Sequence, residues 1–452
     1  DLIGVQGANQ QEFKVFLRPV LAVTINGSGS ATEYAYKYAL NPGAVPRNAN
    51  DGASAANILY TYRASGAGPM SWVMALTGRR FECHNRGQQG DTFARMTARF
   101  AYDAAALAAG AWVVATGGIN NVATGQTLPE VIAEFLALRT AIAKVGAKLV
   151  MLTPFPQLAN RSNWSASKEL VLLQWRNWLR RNASKYNYVC IDWGGLACGN
   201  MHIIDPTSTT GAAQVAVVNA DKIHPLVNAS YMAGKALASF FNRLYGTSVY
   251  DGIPRNLADC GIMPNGLLYG TGGTMGAGVT GQVANGLAVS VVTGSPTVAC
   301  TITARAFSNP DEGDNAGNWQ SITVTPTQSG DQVKINLPNL ASVLSCGNLV
   351  YLEMLVKLES GANQLSSLEL MVNSQTSKRG NLLVSDMLLG STQRGAMPES
   401  FVARYGFYAP VRTAVDASDK PSNFQAQLIA TAAAGGAPFK VSMACIRAEV
   451  VN

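Results

Sequence analysis

The period of the hydrophobic pattern changes once along this chain, near residue 250, and that change limits the possible folds more than any other feature. Before it, short apolar runs at 20–25, 111–115, 148–152 and 188–191 alternate with segments of helical period. Each run is too short for a helix and ends at Gly, Pro or Asp, so each reads as a buried strand. Between them, Pro129 suits a first helical turn, and Val131, Ile132, Phe135, Leu136 and Leu138 form a stripe that continues to Val145. Leu170, Leu173, Trp175 and Trp178 repeat the stripe within 168–181, and Leu237, Phe240, Phe241 and Leu244 within 231–244. This alternation predicts an α/β domain with a mainly parallel sheet covered on both faces. Sites in such sheets form at the carboxyl ends of the strands.

After residue 250 the runs shorten and alternate with period two, at 322–325, 333–337, 349–356, 368–372, 424–429 and 441–451. Gly, Asn, Asp and Pro separate them, the signature of an all-β sandwich of jelly-roll type. The expected division is therefore an α/β domain over 1–250 and a β-sandwich over 262–452, with 31–68 inserted in a loop of the first.

Composition narrows the class. Of the 452 residues 48% are apolar and only 13% charged, so the chain buries cores and is not disordered. Low charge and 44 glycines suit a compact, turn-rich protein that is extracellular or carried on a particle. No apolar stretch reaches the roughly 18–20 residues that a membrane span needs. The chain starts at Asp1, so a processed N-terminus is expected. The net charge of +7 is modest, and Arg79-Arg80 and Arg180-Arg181 are isolated pairs, which argues against nucleic-acid binding. A basic surface equally favours an acidic polysaccharide. The seven cysteines are irregularly spaced and include no Cys-x-x-Cys, so they read as small buried hydrophobes; Cys190–Cys198 is the one local pair that a bridge could use.

Four short blocks carry the chemistry. Ser28 lies among glycines in Asn26-Gly27-Ser28-Gly29-Ser30, just after the first apolar run, where a tight strand-to-helix turn can present its hydroxyl. Read alone, this is an ordinary polar turn. Gly90 ends Asn85-Arg86-Gly87-Gln88-Gln89-Gly90, and its backbone N–H can approach a substrate oxygen closely. Asn120 follows Gly117-Gly118 at a strand end, where its amide can donate to an oxyanion or merely cap a helix. Asp221 precedes His224 by three residues. On one turn the carboxylate can accept from Nδ1–H and leave Nε2 to take a serine proton; the alternative is a surface Asp–His pair. Together the blocks supply a nucleophile, oxyanion donors, a base and its orienting carboxylate, the groups ester hydrolysis requires.

In their order and spacing the four blocks resemble the SGNH/GDSL hydrolase family, over residues 18–246. The resemblance implies a three-layer α/β/α fold and a serine esterase, most plausibly a carbohydrate O-acetylesterase. It implies Ser28, Asp221 and His224 as the triad, and Ser28 N–H, Gly90 N–H and the Asn120 amide as the oxyanion hole. No metal or cofactor is implied. Two departures stand out: Gly27 replaces the family's usual Asp before the serine, and Asn121 replaces the usual Asp after the oxyanion asparagine. The first brings in Ser30 as a substitute nucleophile. It also brings in an alternative function, a catalytically degenerate relative acting as a glycan-binding or virion structural protein. The Gly-rich segment 265–281 looks like stretches of phage tail or particle proteins. That likeness implies an acylated bacterial surface polysaccharide as substrate and, for a particle-borne enzyme, a trimer. Trp319, Tyr351, Tyr405, Phe407 and Tyr408 are candidates for a sugar-stacking platform or for sandwich core.

Overall fold

The computed structural model describes residues 68–81, 87, 90–104, 110–155, 164–198, 217, 224–250, 252–305, 317–387 and 396–451, with the backbone of four short strands before them. Those strands are β1 (Leu2–Ile3), β2 (Phe13–Lys14), β3 (Ala22–Ile25) and β4 (Tyr60–Arg63), followed by helix α1 (Pro69–Leu76). The chain forms two compact units, Arg86–Leu237 and the remainder.

The unit 86–237 contains α2 (Phe93–Asp103), β5 (Trp112–Thr116), α3 (Ile119–Ala123), α4 (Leu128–Lys144), β6 (Lys148–Leu152), α5 (Ala166–Asn182), β7 (Val189–Ile191), α6 (Trp193–Cys198) and the start of α7 (Val227–Tyr245). Its three strands are all parallel in the order β5-β6-β7, with Thr116 opposite Leu152 and Leu152 opposite Ile191. This is the α/β architecture with a parallel sheet expected from the alternation. Helix α4 begins where the sequence asks it to. The Thr127 N–H donates to the Glu130 carboxylate at 2.7 Å, and Pro129 occupies the first turn. Helix α5 is capped by Ser165, whose Oγ accepts the Lys168 N–H at 3.3 Å. The apolar stripes of α2, α4 and α5 meet in one aromatic core. Phe93, Phe135 and Trp175 are fully buried, with ring centroids 5.2–5.6 Å apart. Burial of side chains this size stabilises by about 2–3 kcal/mol each.

The other unit is β-rich. It holds β8 (Gly272–Met275), β9 (Val279–Gly281), β10 (Val283–Thr293), β11 (Thr297–Ala304), β12 (Asn318–Thr325), β13 (Gln332–Asn339), β14 (Leu349–Ser360), β15 (Leu365–Thr376), β16 (Leu382–Met387), β17 (Phe401–Pro410), β18 (Pro421–Ala432) and β19 (Phe439–Val451). They form two largely antiparallel sheets, ordered β3-β4-β16-β15-β18-β13-β10-β8 and β17-β14-β19-β12-β11-β9, consistent with a sandwich. Alternate residues of β14 (Val350, Leu352, Met354, Val356 and Leu358) are fully buried, as are Leu368, Leu370 and Val372 of β15. Tyr405 and Phe407 are core residues with no exposed ring face, which removes them from a sugar-stacking platform.

One strand keeps its place in the sequence but not its expected sheet. Ala22–Ile25 is extended as the apolar run predicts. It pairs antiparallel with β4, and β4 pairs parallel with β16 of the β-rich unit. A four-residue strand rich in β-branched side chains suits any sheet edge, so its composition does not choose its neighbour.

Candidate active site

The carboxyl ends of β5, β6 and β7 lead into Gly117, Thr153 and Asp192. At the first of these, the chain must turn sharply into α3. Gly118 caps that helix at φ 96°, in the left-handed region. A Cβ there would lie 2.3 Å from the Trp175 indole nitrogen. Only glycine fits, because Trp175 Nε1 donates to the Gly117 carbonyl at 3.1 Å and cannot withdraw without losing that bond.

The turn that follows presents Asn120, half-buried. Its Nδ2 donates to the Asp91 carbonyl at 2.9 Å, which sets the amide beside the turn containing Gly90. A primary amide carries two N–H groups, so one is left for an incoming oxygen. Gly90 itself is exposed, at φ 78°, and a Cβ there would meet nothing within 4 Å. Asn120 is thus tied to the residue that follows Gly90, and Gly90 borders open space.

The Gly90 turn is held from several sides. The Asp91 carboxylate, 5% exposed, accepts from Arg99 Nε at 3.0 Å and Nη2 at 2.7 Å. The next residue of the β5 turn, Asn121, is fully buried and accepts the Phe93 N–H at 3.2 Å through Oδ1. Its Nδ2 donates to Glu134 Oε2 at 2.6 Å and to Gln126 Oε1 at 2.7 Å. Glu134 Oε2 also accepts the Ala94 N–H at 3.0 Å, and its Oε1 accepts from Gln126 Nε2 at 2.6 Å. Phe93 and Ala94 are the first residues of α2, whose N–H groups have no partner within the helix. A carboxylate there also suits the positive end of the helix dipole.

A second network closes the ends of β6 and β7. Asp192 takes two bonds from Arg176, Nε to Oδ1 and Nη2 to Oδ2, each at 2.8 Å, and a third from the Thr153 hydroxyl at 3.0 Å. Burial alone would raise the Asp192 pKa, but the Arg176 hydrogen bonds and charge, the Thr153 hydroxyl and the Gly195 N–H together hold it below the usual carboxylate range. Cys190, on β7, is a free thiol whose pKa burial pushes up to about 12, so it behaves as a small hydrophobe. Trp193 Nε1 donates to the Ala229 carbonyl at 2.9 Å, anchoring the first turn of α7. His224 sits exposed just ahead of that turn, and the Leu226 N–H bonds the Val217 carbonyl at 2.8 Å.

Of the five residues expected in the site, the structure brings Gly90 and Asn120 together and places His224 on the surface of the same unit. Ser28, its substitute Ser30 and Asp221 lie outside the described residues. Sequence reading did not single out Asp91, Arg99, Gln126, Glu134, Arg176 or Asp192. Asp91 adjoins a motif and could have been flagged by position; Asn121 stands out in the sequence only as a departure from the family pattern. Glu134 sits mid-helix with no local signal. Among the described residues no group of three or more His, Cys, Asp or Glu side chains gathers as a metal site would require.

Residues 51–227 match the model of the GDSL-like lipase/acylhydrolase family. The interval contains Gly90, Asn120, Asp221 and His224, and begins after Ser28. Among solved structures, the chain is similar to a member of the lipolytic G-D-S-L family from Veillonella parvula, at 15% identity over 39% of this chain and 89% of that one, with a TM-score of 0.32. It is also similar to Axe2, an acetylxylan esterase from Geobacillus stearothermophilus, at 20% identity over 41% and 84% of the two chains, with a TM-score of 0.30. No curated protein matches the sequence.

Proposed function

We propose that the chain, whose residues 51–227 match the GDSL-like lipase/acylhydrolase family, is a carboxylic ester hydrolase that removes O-acetyl groups from a carbohydrate by serine catalysis. The observation that supports the reading is the bond from the Asn120 amide to the carbonyl of Asp91, the residue after Gly90. In this reading His224 Nε2 takes the Ser28 Oγ proton as the oxygen attacks the ester carbonyl, and Asp221 fixes the imidazole tautomer. The Gly90 N–H, the Asn120 Nδ2–H and the Ser28 N–H receive the developing oxyanion. The proton then passes to the leaving sugar hydroxyl, and water activated by His224 releases acetate. Open space at Gly90 suits an acyl group carried on a bulky glycan, and the net charge of +7 suits an anionic polysaccharide.

Hydrolysis of 4-nitrophenyl acetate and butyrate by the wild type, Ser28→Ala and His224→Ala tests this. The expected result is acetate-preferring turnover that falls by about a thousandfold or more in both variants, with the fold intact. Full activity in Ser28→Ala would move the nucleophile to Ser30. Gly27, where the family carries Asp, favours a second reading in which the domain binds acylated glycan without cleaving it. That reading predicts no labelling of the wild type by an organophosphonate and unchanged glycan binding in His224→Ala.

A further inference from the structure

We infer that Asn121 and Glu134, with Gln126, are positioning residues whose donor–acceptor polarity holds the Gly90 turn at its working distance from Asn120; this rests on reading Gly90 and Asn120 as the oxyanion donors. The geometry is specific. Neighbouring residues on the β5 turn grip the facing turn at two points. The Asn120 amide holds the Asp91 carbonyl, and the Asn121 carbonyl oxygen holds the Phe93 N–H. Glu134, from α4, reaches the next N–H of the same helix, that of Ala94, and holds Asn121 itself at 2.6 Å. Gln126 ties Asn121 and Glu134 together from the third side. The distance from Gly90 to Asn120 therefore cannot change without breaking bonds to a buried amide and to a carboxylate, which are the strong kind.

The set has a defined polarity. Asn121 offers Nδ2–H where Glu134 offers only acceptors. A carboxylate at 121 would face the Glu134 carboxylate across the same short contact, with no proton between them. One oxygen, Glu134 Oε2, takes both the Asn121 Nδ2–H and the Ala94 N–H, so Gln at 134 keeps that acceptor for both. Exchanging the two chemistries, with Asp at 121 and Gln at 134, does not restore the set, because an NH2 turned toward the new carboxylate would face the Ala94 N–H. The charged side chains nearby are engaged elsewhere: Asp91 with Arg99, Glu130 with Thr127, and Lys168 with the Ala123 carbonyl.

The test is steady-state hydrolysis of 4-nitrophenyl acetate by the full chain as wild type, Asn121→Asp, Glu134→Gln and the double variant, each checked for folding by circular dichroism. Displacing an oxyanion donor weakens only the transition state, so Asn121→Asp should lose about 10- to 100-fold in kcat with KM within about twofold. Glu134→Gln, which keeps the shared acceptor, should stay within about threefold of the wild type, and the double variant should be no better than Asn121→Asp, an asymmetry that simple loss of packing would not give. Wild-type kcat in Asn121→Asp, or a loss in Glu134→Gln as large as that in Asn121→Asp, would overturn the inference while leaving the esterase intact. A wild type without turnover would overturn both, since there would be no oxyanion to position. If Asn121→Asp does not fold, Glu134→Ala, which removes the acceptor for Asn121 and Ala94 together, decides alone, loss of kcat at unchanged KM supporting the inference and wild-type kcat sinking it.

Discussion

Two buried arginines show how differently the two units treat charge. Arg176, in the α/β unit, is 7% exposed and holds Asp192 through two parallel bonds of 2.8 Å. Arg305, in the β-rich unit, is 5% exposed, and its one side-chain hydrogen bond runs from Nη1 to the Cys445 sulfur. Its Nε and Nη2 have no acceptor among the described residues. Cys445 supplies no counter-charge, because burial pushes its pKa up to about 11 even with Arg305 beside it. No buried side-chain nitrogen or oxygen lacks a partner among the described residues of 86–237, whereas Arg305, Asp331, Asn336 and Arg404 of the β-rich unit each leave one or more unpaired. The lesson is about where rigidity comes from. The β-rich unit is set by long strand ladders and apolar alternation, which tolerate an imperfectly satisfied polar atom. The α/β unit places loops at strand ends, where only directional bonds can hold a turn in register.

The change expected to damage the α/β unit most is Gly118→Ala. It forces a left-handed residue to carry a Cβ and drives that Cβ into Trp175 at 2.3 Å. The two effects together should cost about 3 kcal/mol. Urea denaturation followed by tryptophan fluorescence would show an early loss, and esterase activity should fall with it because Asn120 is two residues on. The equivalent change at Gly286, also left-handed at φ 83° but with its nearest contact 3.3 Å away on the flexible ring of Pro338, should cost only about 1 kcal/mol. Equal losses at the two glycines would remove the distinction between a packed turn and a merely left-handed one.

The arginines themselves give a matched pair. Arg176→Met leaves the Asp192 carboxylate, a quarter exposed, with Arg180 at 3.4 Å as its remaining cation beside the Thr153 hydroxyl and the Gly195 N–H, and should cost about 2–3 kcal/mol. Arg305→Met removes a buried charge that has no opposite partner, and should lie within about 1 kcal/mol of the wild type or be more stable. The acid limb separates them further. The folded pKa of Asp192 is depressed, so its contribution is present above the unfolded value near 3.8 and is lost as pH falls through the folded one. Thermal melts should therefore show Arg176→Met converging on the wild type below that value, with no such convergence for Arg305→Met. A large loss in Arg305→Met would mean that its charge is compensated after all, and the contrast between the units would fail.

Legibility followed the same divide. Strand 148–152 and helix 128–144 were readable to within a residue because period, Pro129 and the Thr127–Glu130 cap agree. Helix Phe93–Asp103 was readable in principle from Phe93, Met96 and Phe100, spaced i, i+3 and i+7, but polar and small residues between them blur the stripe. In β14 the outer-face residues Glu353 and Leu355 are buried as well, so alternation becomes a nearly continuous apolar run. Gly90 and Asn120 could be proposed as donors from the sequence because both sit in glycine-marked turns. Glu134 could not, because its role exists only once α4 is laid against the start of α2. The partner of strand Ala22–Ile25 was hidden for the same reason.

Glu169 is the exception inside the α/β unit, and the smallest test of the comparison. It is 8% exposed and accepts a 2.6 Å bond from Trp164 Nε1, with no ion pair to it among the described residues. Burial raises its pKa, and the Trp164 bond opposes that only in part. A folded pKa above the unfolded one means the native state binds more protons across that window, so the group weakens folding as pH rises through it. Glu169→Gln keeps an oxygen for Trp164 and removes the charge. It should stabilise the protein by about 0.5–1 kcal/mol at neutral pH. The gain should shrink as pH is lowered toward the ordinary glutamate value of 4.5, where the wild-type side chain becomes neutral in its own right. Melting curves from pH 7 to pH 4 would read both the gain and its disappearance. A glutamine variant less stable than the wild type at pH 7 would mean the carboxylate is held by more than the indole, and this unit would then contain no exception to its pairing.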